Sequence, residues 1–475
     1  MLDSQLHRSL VSLLGAEGVI ADPDELIVYE CDGFTIPRGA PLAVVFPTST
    51  QQVSAVVKLL REAHVAVLPR GSGTGLTGGI VAVTPGVQVS LARMNQILEI
   101  DLRNRVACVE AGVTNGALSA AVAFSPYYYA PDPSSQRIST IGGNVATNAG
   151  GLHTLKYGVT VNHVAGLECV LEDGSVQTFG GPGGHDIGPD MVGLICGTEG
   201  TLCLVTKIWC RLTPKPAAFR TGLAIFNSTQ DACQTVADII AAGIIPAALE
   251  MMDGSMIATV EATFHLGFPA DAQALLLIEI DGQELGLDDD LSRIEALCRK
   301  NRVGTFDSGS DAKRRAELWS ARRRAFAAIG RISPSYCTQD ACVPRSKLPE
   351  VIAHIAEICA KYRLPISNIF HAGDGNIHPV LLYDEKDPDS VRRAMAASSE
   401  ILRYAISIGG TITGEHGVGI EKLPYMRELF SADDLAVMHT IRRAFSPDDL
   451  MNPYKSLPRE GVTIDLAHPA RKVPQ

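Results

Sequence analysis

The chain has 475 residues, 46% of them hydrophobic, which is enough for about two or three domains that each bury an apolar core. Its formal net charge of −11 provides no basic field for nucleic acid, so an anionic substrate needs local positive charge. The eleven cysteines are scattered without a C-x-x-C pair, which predicts reduced thiols and assigns any iron–sulfur cluster to a partner chain. The first residues lack a long apolar h-region, and no run of about 18 apolar residues occurs, so we expect a cytoplasmic protein.

In chain order, the first elements predicted are a β-α-β unit that leads into a glycine-rich loop. Residues 44–46 and 65–68 read as strands, and apolar residues recur at helical spacing over 53–60 between them. Further strands are predicted at 87–91, 106–110, 166–171 and 200–212. The prolines at 214 and 216 indicate a domain boundary, so the first domain is predicted to span 1–215, with its core at 38–215.

The region after this boundary alternates strands with helices. Strands are predicted at 220–226, 244–250, 274–281 and 411–413, helices at 230–242, 286–301, 312–329, 347–362 and 390–408, and a hairpin at 366–383. This order favours an antiparallel sheet covered by helices on one face. The second domain is predicted at 216–425, followed by a helical C-terminal segment, 426–475, that ends in a loose tail.

The first glycine-rich loop, residues 69–79, reads Pro-Arg-Gly-Ser-Gly-Thr-Gly-Leu-Thr-Gly-Gly. Gly73, Gly75 and Gly78 satisfy the G-x-G-x-x-G pattern, but Pro85 and Gly86 stop any helix that a Rossmann fold would need after the loop. Two interpretations stay open for this loop alone. It is either a nest of backbone N–H groups for a pyrophosphate or a plain tight turn.

A second run of small side chains lies at 131–151, which reads Pro-Asp-Pro-Ser-Ser-Gln-Arg-Ile-Ser-Thr-Ile-Gly-Gly-Asn-Val-Ala-Thr-Asn-Ala-Gly-Gly. Together with Gly197-Thr198-Glu199-Gly200, the two loops resemble the FAD-binding domain of the vanillyl-alcohol oxidase superfamily. Within it, the chain is similar to the branch of FAD-linked D-lactate dehydrogenases, D-2-hydroxyglutarate dehydrogenases and the glycolate oxidase flavoprotein subunit. The resemblance runs from Tyr29-Glu30-Cys31-Asp32-Gly33 to Asn452-Pro453.

The resemblance implies an α+β fold: an FAD-binding domain of the vanillyl-alcohol oxidase type, to which the C-terminal segment returns, and a ferredoxin-like α+β cap that holds substrate and metal. It implies FAD contacts at Pro69, Arg70, Gly71, Ser72, Gly73, Thr74, Gly75, Gly78, Pro131, Asp132, Ser135, Thr140, Gly142, Gly143, Asn144, Thr147, Asn148, Gly151, Glu199, Gly200, Val205 and Asn452. Some superfamily members attach flavin to a histidine at the first loop. Residues 71–79 contain none, so FAD is expected to bind non-covalently.

A candidate metal site begins with His371 and His378, which flank an Asp-Gly turn that predicts a hairpin. Glu415 is the candidate third ligand, and two histidines with one carboxylate favour Zn²⁺, with Mn²⁺ or Fe²⁺ as alternatives. The alternative interpretation is that the histidines only cap loops, but the joint pattern also matches the family's motif. A Lewis acid would lower the pKa of a substrate hydroxyl, and His416 is the candidate general base.

Three consecutive arginines, Arg322 to Arg324, must point in different directions on a helix, and Arg322 matches the family's carboxylate-binding arginine. Family members that oxidise 2-hydroxyglutarate hold a second carboxylate at positions matching Phe326, Thr338 and Val380, two of which are apolar here. A short 2-hydroxy acid, glycolate or D-lactate, is therefore the expected substrate.

The resemblance also implies partners: a second FAD-binding subunit and an iron–sulfur subunit that carry electrons towards quinone at the inner face of the membrane. A stand-alone D-lactate dehydrogenase that passes electrons to quinone, cytochrome c or an electron-transfer flavoprotein is the alternative. Two hypotheses come from other classes of function. A metal-dependent hydrolase would leave the glycine loops without a role. A non-catalytic flavoprotein scaffold would leave the metal-binding and base motifs without a role.

Overall fold

A computed structural model describes residues 2–184, 188–309 and 312–466. The chain divides into two compact units. Unit 1 consists of Met1–Gly150, Val159–Lys215 and Glu415–Gln475, and unit 2 consists of Gly151–Gly158 and Pro216–Gly414. Within the described ranges, no helix has both the length and the apolar character that a membrane crossing requires.

Helices and strands alternate along most of the chain. The α-helices are α1 (Ser4–Leu14), α2 (Pro23–Leu26), α3 (Thr50–Glu62), α4 (Asn115–Ala121), α5 (Ile141–Thr147), α6 (Thr154–Tyr157), α7 (Met191–Ile195), α8 (Thr229–Ala241), α9 (Gly254–Phe264), α10 (Leu287–Lys300), α11 (Ala312–Ile329), α12 (Leu348–Lys361), α13 (Pro388–Ser407), α14 (Leu423–Leu429) and α15 (Ala432–Phe445). The strands are β1 (Val19–Ile20), β2 (Ala43–Val45), β3 (Ala66–Arg70), β4 (Gly86–Ser90), β5 (Ile97–Asp101), β6 (Val106–Glu110), β7 (Tyr127–Tyr128), β8 (Val164–Val170), β9 (Val176–Gly180), β10 (Leu204–Arg211), β11 (Thr213–Pro214), β12 (Ala218–Phe226), β13 (Ala248–Asp253), β14 (Ala274–Gly282), β15 (Thr305–Gly309), β16 (Ser335–Thr338), β17 (Ala341–Cys342), β18 (Ile366–His371) and β19 (Asn376–Tyr383). Short 3-10 turns lie at Ala16–Gly18, Ile27–Tyr29, Thr160–His163 and Arg345–Lys347.

Unit 1 contains the predicted β-α-β unit. Strands β2 and β3 both pair in parallel with β4, in the sheet order β1-β2-β4-β3. The Ser49 hydroxyl caps α3 by accepting the Gln52 N–H at 3.3 Å, and Val53, Val57 and Leu60 of that helix are buried. No helix occurs between Arg70 and Gly86, so the rejection of a Rossmann fold is confirmed.

A second sheet of unit 1 has the order β5-β6-β10-β8-β9 and is antiparallel. The sequence did not predict β5 and β9. Both are edge strands, and the exposed polar residues of β5 weaken the apolar alternation that marks a buried strand. The short β7 and β11 pair separately.

The C-terminal segment completes unit 1. Met451 forms a parallel bridge with Val67 of β3, and Ile420 and Leu423 pack with Val81 and Val83 in one apolar cluster. The sequence placed residues up to 425 in the second domain, whereas unit 2 ends at Gly414. This apolar cluster is the physical reason for the difference.

Unit 2 is built on an antiparallel sheet with the order β15-β12-β14-β13-β18-β19-β16, in which β17 also pairs with β19. Met252 and Leu277 pack with Leu318 and Trp319 of α11 on one face. Met251, which points to the other face, contacts Cys233 of α8 at 3.8 Å. Helices thus cover both faces, and the predicted single-face cover is wrong because strands such as β14 are buried on both faces. The α+β class is confirmed.

Two predicted strands of unit 2 differ from the structure. The strand predicted at 244–250 begins only at Ala248, because Gly243 has a φ of +77° and Pro246 has no N–H for a ladder. The strand predicted at 411–413 is a single bridge between Thr411 and Cys342. There Thr413 and Gly414 donate to a side chain, that of Asp340, instead of to a neighbouring strand.

Candidate active site

The two glycine-rich loops meet in unit 1. A Cβ built on Gly71 would lie 2.7 Å from the Thr140 hydroxyl oxygen and 3.6 Å from the Gly143 Cα, so only glycine permits this approach. Thr140 is the N-cap of α5 and accepts the Gly143 N–H at 3.1 Å. Ser72 donates to the carbonyl of Ile138 at 2.5 Å, which is a second link between the loops.

Buried polar atoms beside these loops fit a bound cofactor. Asn144 is 3% exposed, and within the described chain its Nδ2 has no hydrogen-bond partner; the same is true of the Ser139 hydroxyl. Buried donors of this kind are stable when a ligand supplies the acceptor. The bare backbone and these donors match the needs of a pyrophosphate-containing cofactor.

The predicted FAD contacts occupy several places. In unit 1, β3 ends with Pro69 and Arg70, and the first loop carries Ser72, Gly73, Thr74, Gly75 and Gly78. The segment before α5 carries Pro131, Asp132 and Ser135, and Val205 lies on β10. Helix α5 carries Gly142, Gly143, Asn144 and Thr147, and Asn148 is its C-cap. Gly151 belongs to unit 2.

Glu199 and Asn452 tie the glycine loop to the C-terminal segment. The Glu199 carboxylate accepts the N–H groups of Val418 and Gly419, with contacts of 2.5 to 3.1 Å. The Asn452 side-chain amide donates to the carbonyls of Gly79 at 3.2 Å and Glu199 at 2.7 Å. Gly200 follows Glu199 in the same turn, and a Cβ built on Gly200 would lie 2.4 Å from Cγ of the Pro69 ring. Glu199 and Asn452 therefore fix the positions of Gly79 and of residues 418–419 relative to one another.

Two buried charged residues of unit 1 were not singled out by the sequence. Burial raises the pKa of Asp32 to about 7, although N–H groups of Phe34, Gly78 and Gly79 act in the opposite direction. Burial lowers the pKa of Lys455 to about 7, although the carboxyl groups of Glu199 and Asp32 raise it. The Lys455 ammonium donates to the carbonyl of Val81 at 2.7 Å. The sequence signals were the place of Asp32 within the run Tyr29-Glu30-Cys31-Asp32-Gly33 and the place of Lys455 two residues after Asn452-Pro453.

The predicted hairpin of unit 2 brings two histidines together. Strands β18 and β19 flank the Asp374-Gly375 turn, as predicted, and Gly375 has a φ of +82°. His371 pairs with Asn376 and His378 pairs with Ile369, so both histidines point to the same face of the sheet. Their ring centroids are 5.1 Å apart and their planes are perpendicular.

Both histidines are oriented by acceptors at Nδ1. His371 Nδ1 lies 2.8 Å from Glu250 Oε1, and His378 Nδ1 lies 3.1 Å from the Gln339 carbonyl oxygen. An acceptor at Nδ1 holds the proton on that nitrogen and leaves the lone pair on Nε2, which is the arrangement that metal-binding histidines need. The donor set therefore fits a divalent metal.

Arg322 is buried beside this pair. Its guanidinium forms an ion pair with Glu250, both residues are 1% exposed, and its Nε finds no acceptor within the described residues. Arg323 and Arg324 are exposed, as the helical geometry predicts. An arginine that is paired on one side and has an unpaired Nε–H can donate to a further carboxylate.

Glu250 is the functional candidate that the sequence missed. Burial by itself raises the pKa of Glu250, but Arg322 and His371 outweigh this and hold the pKa below its ordinary value. The residue thus stays ionised in a buried strand. The available signal was an acidic residue with apolar neighbours on both sides in the strand Ala248–Asp253.

The remaining predicted site residues follow Gly414. Buried Asp340 accepts the Thr413 hydroxyl at 2.7 Å and the Gly414 N–H at 3.0 Å, which fixes the end of unit 2. Glu415 and His416 are the next two residues of the chain and belong to unit 1, where His416 Nε2 lies 3.7 Å from Glu415 Oε1.

The residues assigned to substrate size are in apolar surroundings. Val380 is fully buried, and Phe326 packs against the same apolar cluster of unit 2. Thr338 pairs with Val380 across β16 and β19. This part of unit 2 therefore presents little that would stabilise a second carboxylate.

Comparisons with known protein families cover most of the chain. The family described as "FAD linked oxidases, C-terminal domain" matches residues 215–456, and the family described as "FAD binding domain" matches residues 41–180.

Several named proteins are similar over most of their length. The chain is 42% identical to "Glycolate oxidase subunit GlcD" of Escherichia coli K12 over 93% of this chain and 88% of the relative. It is 39% identical to the protein of the same name from Bacillus subtilis, over 97% and 98%. It is 32% identical to "Probable D-lactate dehydrogenase, mitochondrial" of Danio rerio, over 88% and 84%.

Solved structures support the fold. The structure of p-cresol methylhydroxylase with substrate bound aligns with a TM-score of 0.81 at 20% identity, covering 95% of this chain and 96% of that one. The 4-ethylphenol oxidase from Gulosibacter chungangensis aligns with a TM-score of 0.80 at 19% identity, over 96% and 98%. Both are similar in fold.

Proposed function

The chain belongs to the FAD-linked oxidases, and we propose that it oxidises a short 2-hydroxy acid, glycolate or D-lactate, to the 2-oxo acid. The observation that carries this proposal is the buried group formed by His371, His378, Glu250 and Arg322. In this group, two imidazoles have acceptors at Nδ1, which leaves each Nε2 available to a metal. Glu250, which contacts His371, also contacts the Arg322 guanidinium, a group that can bind a substrate carboxylate.

The residues of this group have separate tasks. When bound, FAD supplies a hydride acceptor at flavin N5, and a divalent metal supplies a Lewis acid for the substrate hydroxyl. His371 and His378 hold the metal, with Glu415 as the third ligand, and Zn²⁺ fits this donor set best, with Mn²⁺ and Fe²⁺ as alternatives. Arg322 grips the substrate carboxylate, and His416 takes the hydroxyl proton as general base.

The position of Gly414 supports the assignment of Glu415. Asp340 holds the backbone of Gly414, and the next residue along the chain is Glu415. A ligand that follows a fixed backbone position loses little conformational entropy when it binds a metal. His416, the proposed base, is one residue further along the chain, so the same fixed backbone position also limits its freedom.

The apolar residues Phe326 and Val380 support a small monocarboxylate as substrate. A distal carboxylate would lose its hydration beside them without gaining a partner. The absence of histidine from residues 71–79 supports non-covalent FAD.

Partner subunits are part of the proposal. The Escherichia coli and Bacillus subtilis relatives are named as subunits, which supports an assembly with partner chains. We propose that these partners are a second FAD-binding subunit and an iron–sulfur subunit. The assembly would pass electrons from the cytoplasm towards quinone at the membrane. A stand-alone D-lactate dehydrogenase is the second candidate, favoured by the Danio rerio relative. Purification of the native protein distinguishes the two candidates: co-purification with partner subunits supports the assembly, and purification as a single chain supports the stand-alone dehydrogenase.

An anaerobic titration tests the reaction. Purified protein is mixed with D-lactate, L-lactate, glycolate or D-2-hydroxyglutarate, and bleaching of the flavin absorption is followed. We expect glycolate or D-lactate to bleach the flavin and D-2-hydroxyglutarate to do so poorly. Flavin that none of the four acids bleaches would indicate a non-catalytic flavoprotein. A metal-dependent hydrolase would contain no flavin at all.

A further inference from the structure

We infer that Glu250 is a positioning residue that couples the substrate-binding arginine to a metal-binding histidine. The inference rests on the proposed function and adds to it a residue that contacts neither the substrate nor the metal. Glu250 holds Arg322 with one carboxylate oxygen and His371 with the other.

The strand register creates this bridge. Glu250 of β13 pairs directly with His371 of β18, so their side chains emerge side by side on one face of the sheet. Oε1 lies 2.8 Å from His371 Nδ1, and Oε2 contacts Arg322 Nη2 of α11, which packs on that face. Because Glu250 is 1% exposed, water does not replace either contact.

A neutral residue of the same size cannot serve both partners. His371 presents a Nδ1–H donor when its Nε2 binds a metal, and Arg322 presents only donors. A glutamine would turn its NH₂ group towards one of them, so that two donors face each other in a buried site. A carboxylate is therefore required to orient the imidazole and the guanidinium at the same time.

The same face of unit 2 contains a second buried carboxylate, which binds residues of α11 but neither histidine of the proposed metal site. Glu279 of β14 accepts both Arg315 Nε and Nη2 at 2.6 Å and Trp319 Nε1 at 2.7 Å, all from α11. It contacts neither His371 nor His378 in these interactions. Glu279 is thus a matched control: a buried glutamate with an arginine from the same helix but without a metal-site histidine.

The experiment compares Glu250→Gln with Glu279→Gln. The full-length proteins are stripped of metal, and the affinity for Zn²⁺ and Mn²⁺ is measured by competition with a chromophoric chelator. FAD content, kcat and KM are then measured with the acid that bleaches wild-type flavin best. Glu250→Gln should lower metal affinity about 10- to 100-fold and raise KM about tenfold, with unchanged FAD content. Glu279→Gln should retain wild-type metal affinity and KM.

Each outcome supports or overturns the inference. Wild-type metal affinity and KM in Glu250→Gln would overturn it while leaving the proposed function intact. Equal losses in Glu279→Gln would also overturn it, because the effect would then be a general loss of packing. If Glu250→Gln does not fold, Glu250→Asp keeps the charge but shortens the reach, and unchanged metal affinity and KM in that variant would refute the bridge. A wild-type protein that binds no metal, or whose flavin no acid bleaches, would refute the proposed function itself.

Discussion

Gly71 lies so close to Thr140 that a Cβ at position 71 would come within 2.7 Å of the hydroxyl oxygen. Gly71→Ala should therefore separate the two glycine loops, since Thr140 is also fixed by its cap on α5. Overpacking costs about 1–3 kcal/mol, so we expect FAD affinity to fall about tenfold. The ratio of flavin to protein absorbance and the dissociation constant for added FAD measure the effect.

A glycine with open space around it provides the control for this change. A Cβ on Gly183 would meet nothing within 4 Å, so Gly183→Ala should keep wild-type FAD content. Wild-type FAD affinity in Gly71→Ala would contradict the assignment of the loop contact to the cofactor site.

His378→Ala should remove the metal and stop turnover while FAD remains bound. The substitution deletes one of two imidazoles whose Nδ1 atoms are already held by acceptors, and we expect metal affinity to fall more than about 100-fold. Elemental analysis of the purified variant measures bound metal. His354→Ala is the control, because His354 lies on α12 with a partly exposed side chain paired with Glu357. Full activity of metal-free wild-type protein would refute a catalytic metal.

Arg322→Lys should raise KM about 10- to 100-fold with a smaller effect on kcat. A lysine keeps the positive charge beside Glu250, but one ammonium cannot also offer the planar fork that binds a carboxylate. Steady-state kinetics with glycolate and D-lactate measure the change. Arg323→Lys, on the exposed side of α11, should leave kcat and KM unchanged. An unchanged KM in Arg322→Lys would assign the substrate carboxylate to another residue.

His416→Asn should slow flavin reduction about 10²- to 10⁴-fold, because asparagine cannot accept the hydroxyl proton. FAD and metal contents should match the wild type. Anaerobic stopped-flow mixing with substrate measures the reduction rate directly. A wild-type rate would exclude His416 as the base.

Glu279 predicts a pH dependence of stability. Burial raises the pKa of Glu279, but His153 and Arg315 outweigh it and lower the pKa from 4.5 to about 2. A depressed carboxyl pKa stabilises the folded state fully above the unfolded value, and this stability is lost as pH falls through about 2. Glu279→Gln should lower the free energy of unfolding by about 2 kcal/mol at neutral pH.

Denaturant unfolding at several pH values tests this assignment. The difference between wild type and Glu279→Gln should shrink as pH falls below the ordinary pKa of 4.5. A difference that does not change with pH would mean that packing, and not charge, accounts for the loss.

The local sequence determined the elements and the motifs. Glycine and proline positions excluded a helix after the first loop, and the Asp374-Gly375 turn predicted the hairpin that brings His371 and His378 to one face of the sheet, because these residues restrict the backbone locally. Helical spacing likewise predicted that Arg322 to Arg324 would diverge.

Only the tertiary structure identified the two partners of Glu250. Its partners are 72 and 121 positions away along the chain, on α11 and β18, and nothing in the strand Ala248–Asp253 indicates which residue a buried carboxylate will meet. The register of β13 against β18 decides that contact, and the packing of α11 on the same face brings in Arg322. Long-range strand pairing depends on the whole sheet, so the sequence named the two histidines and the arginine but not the residue that joins them.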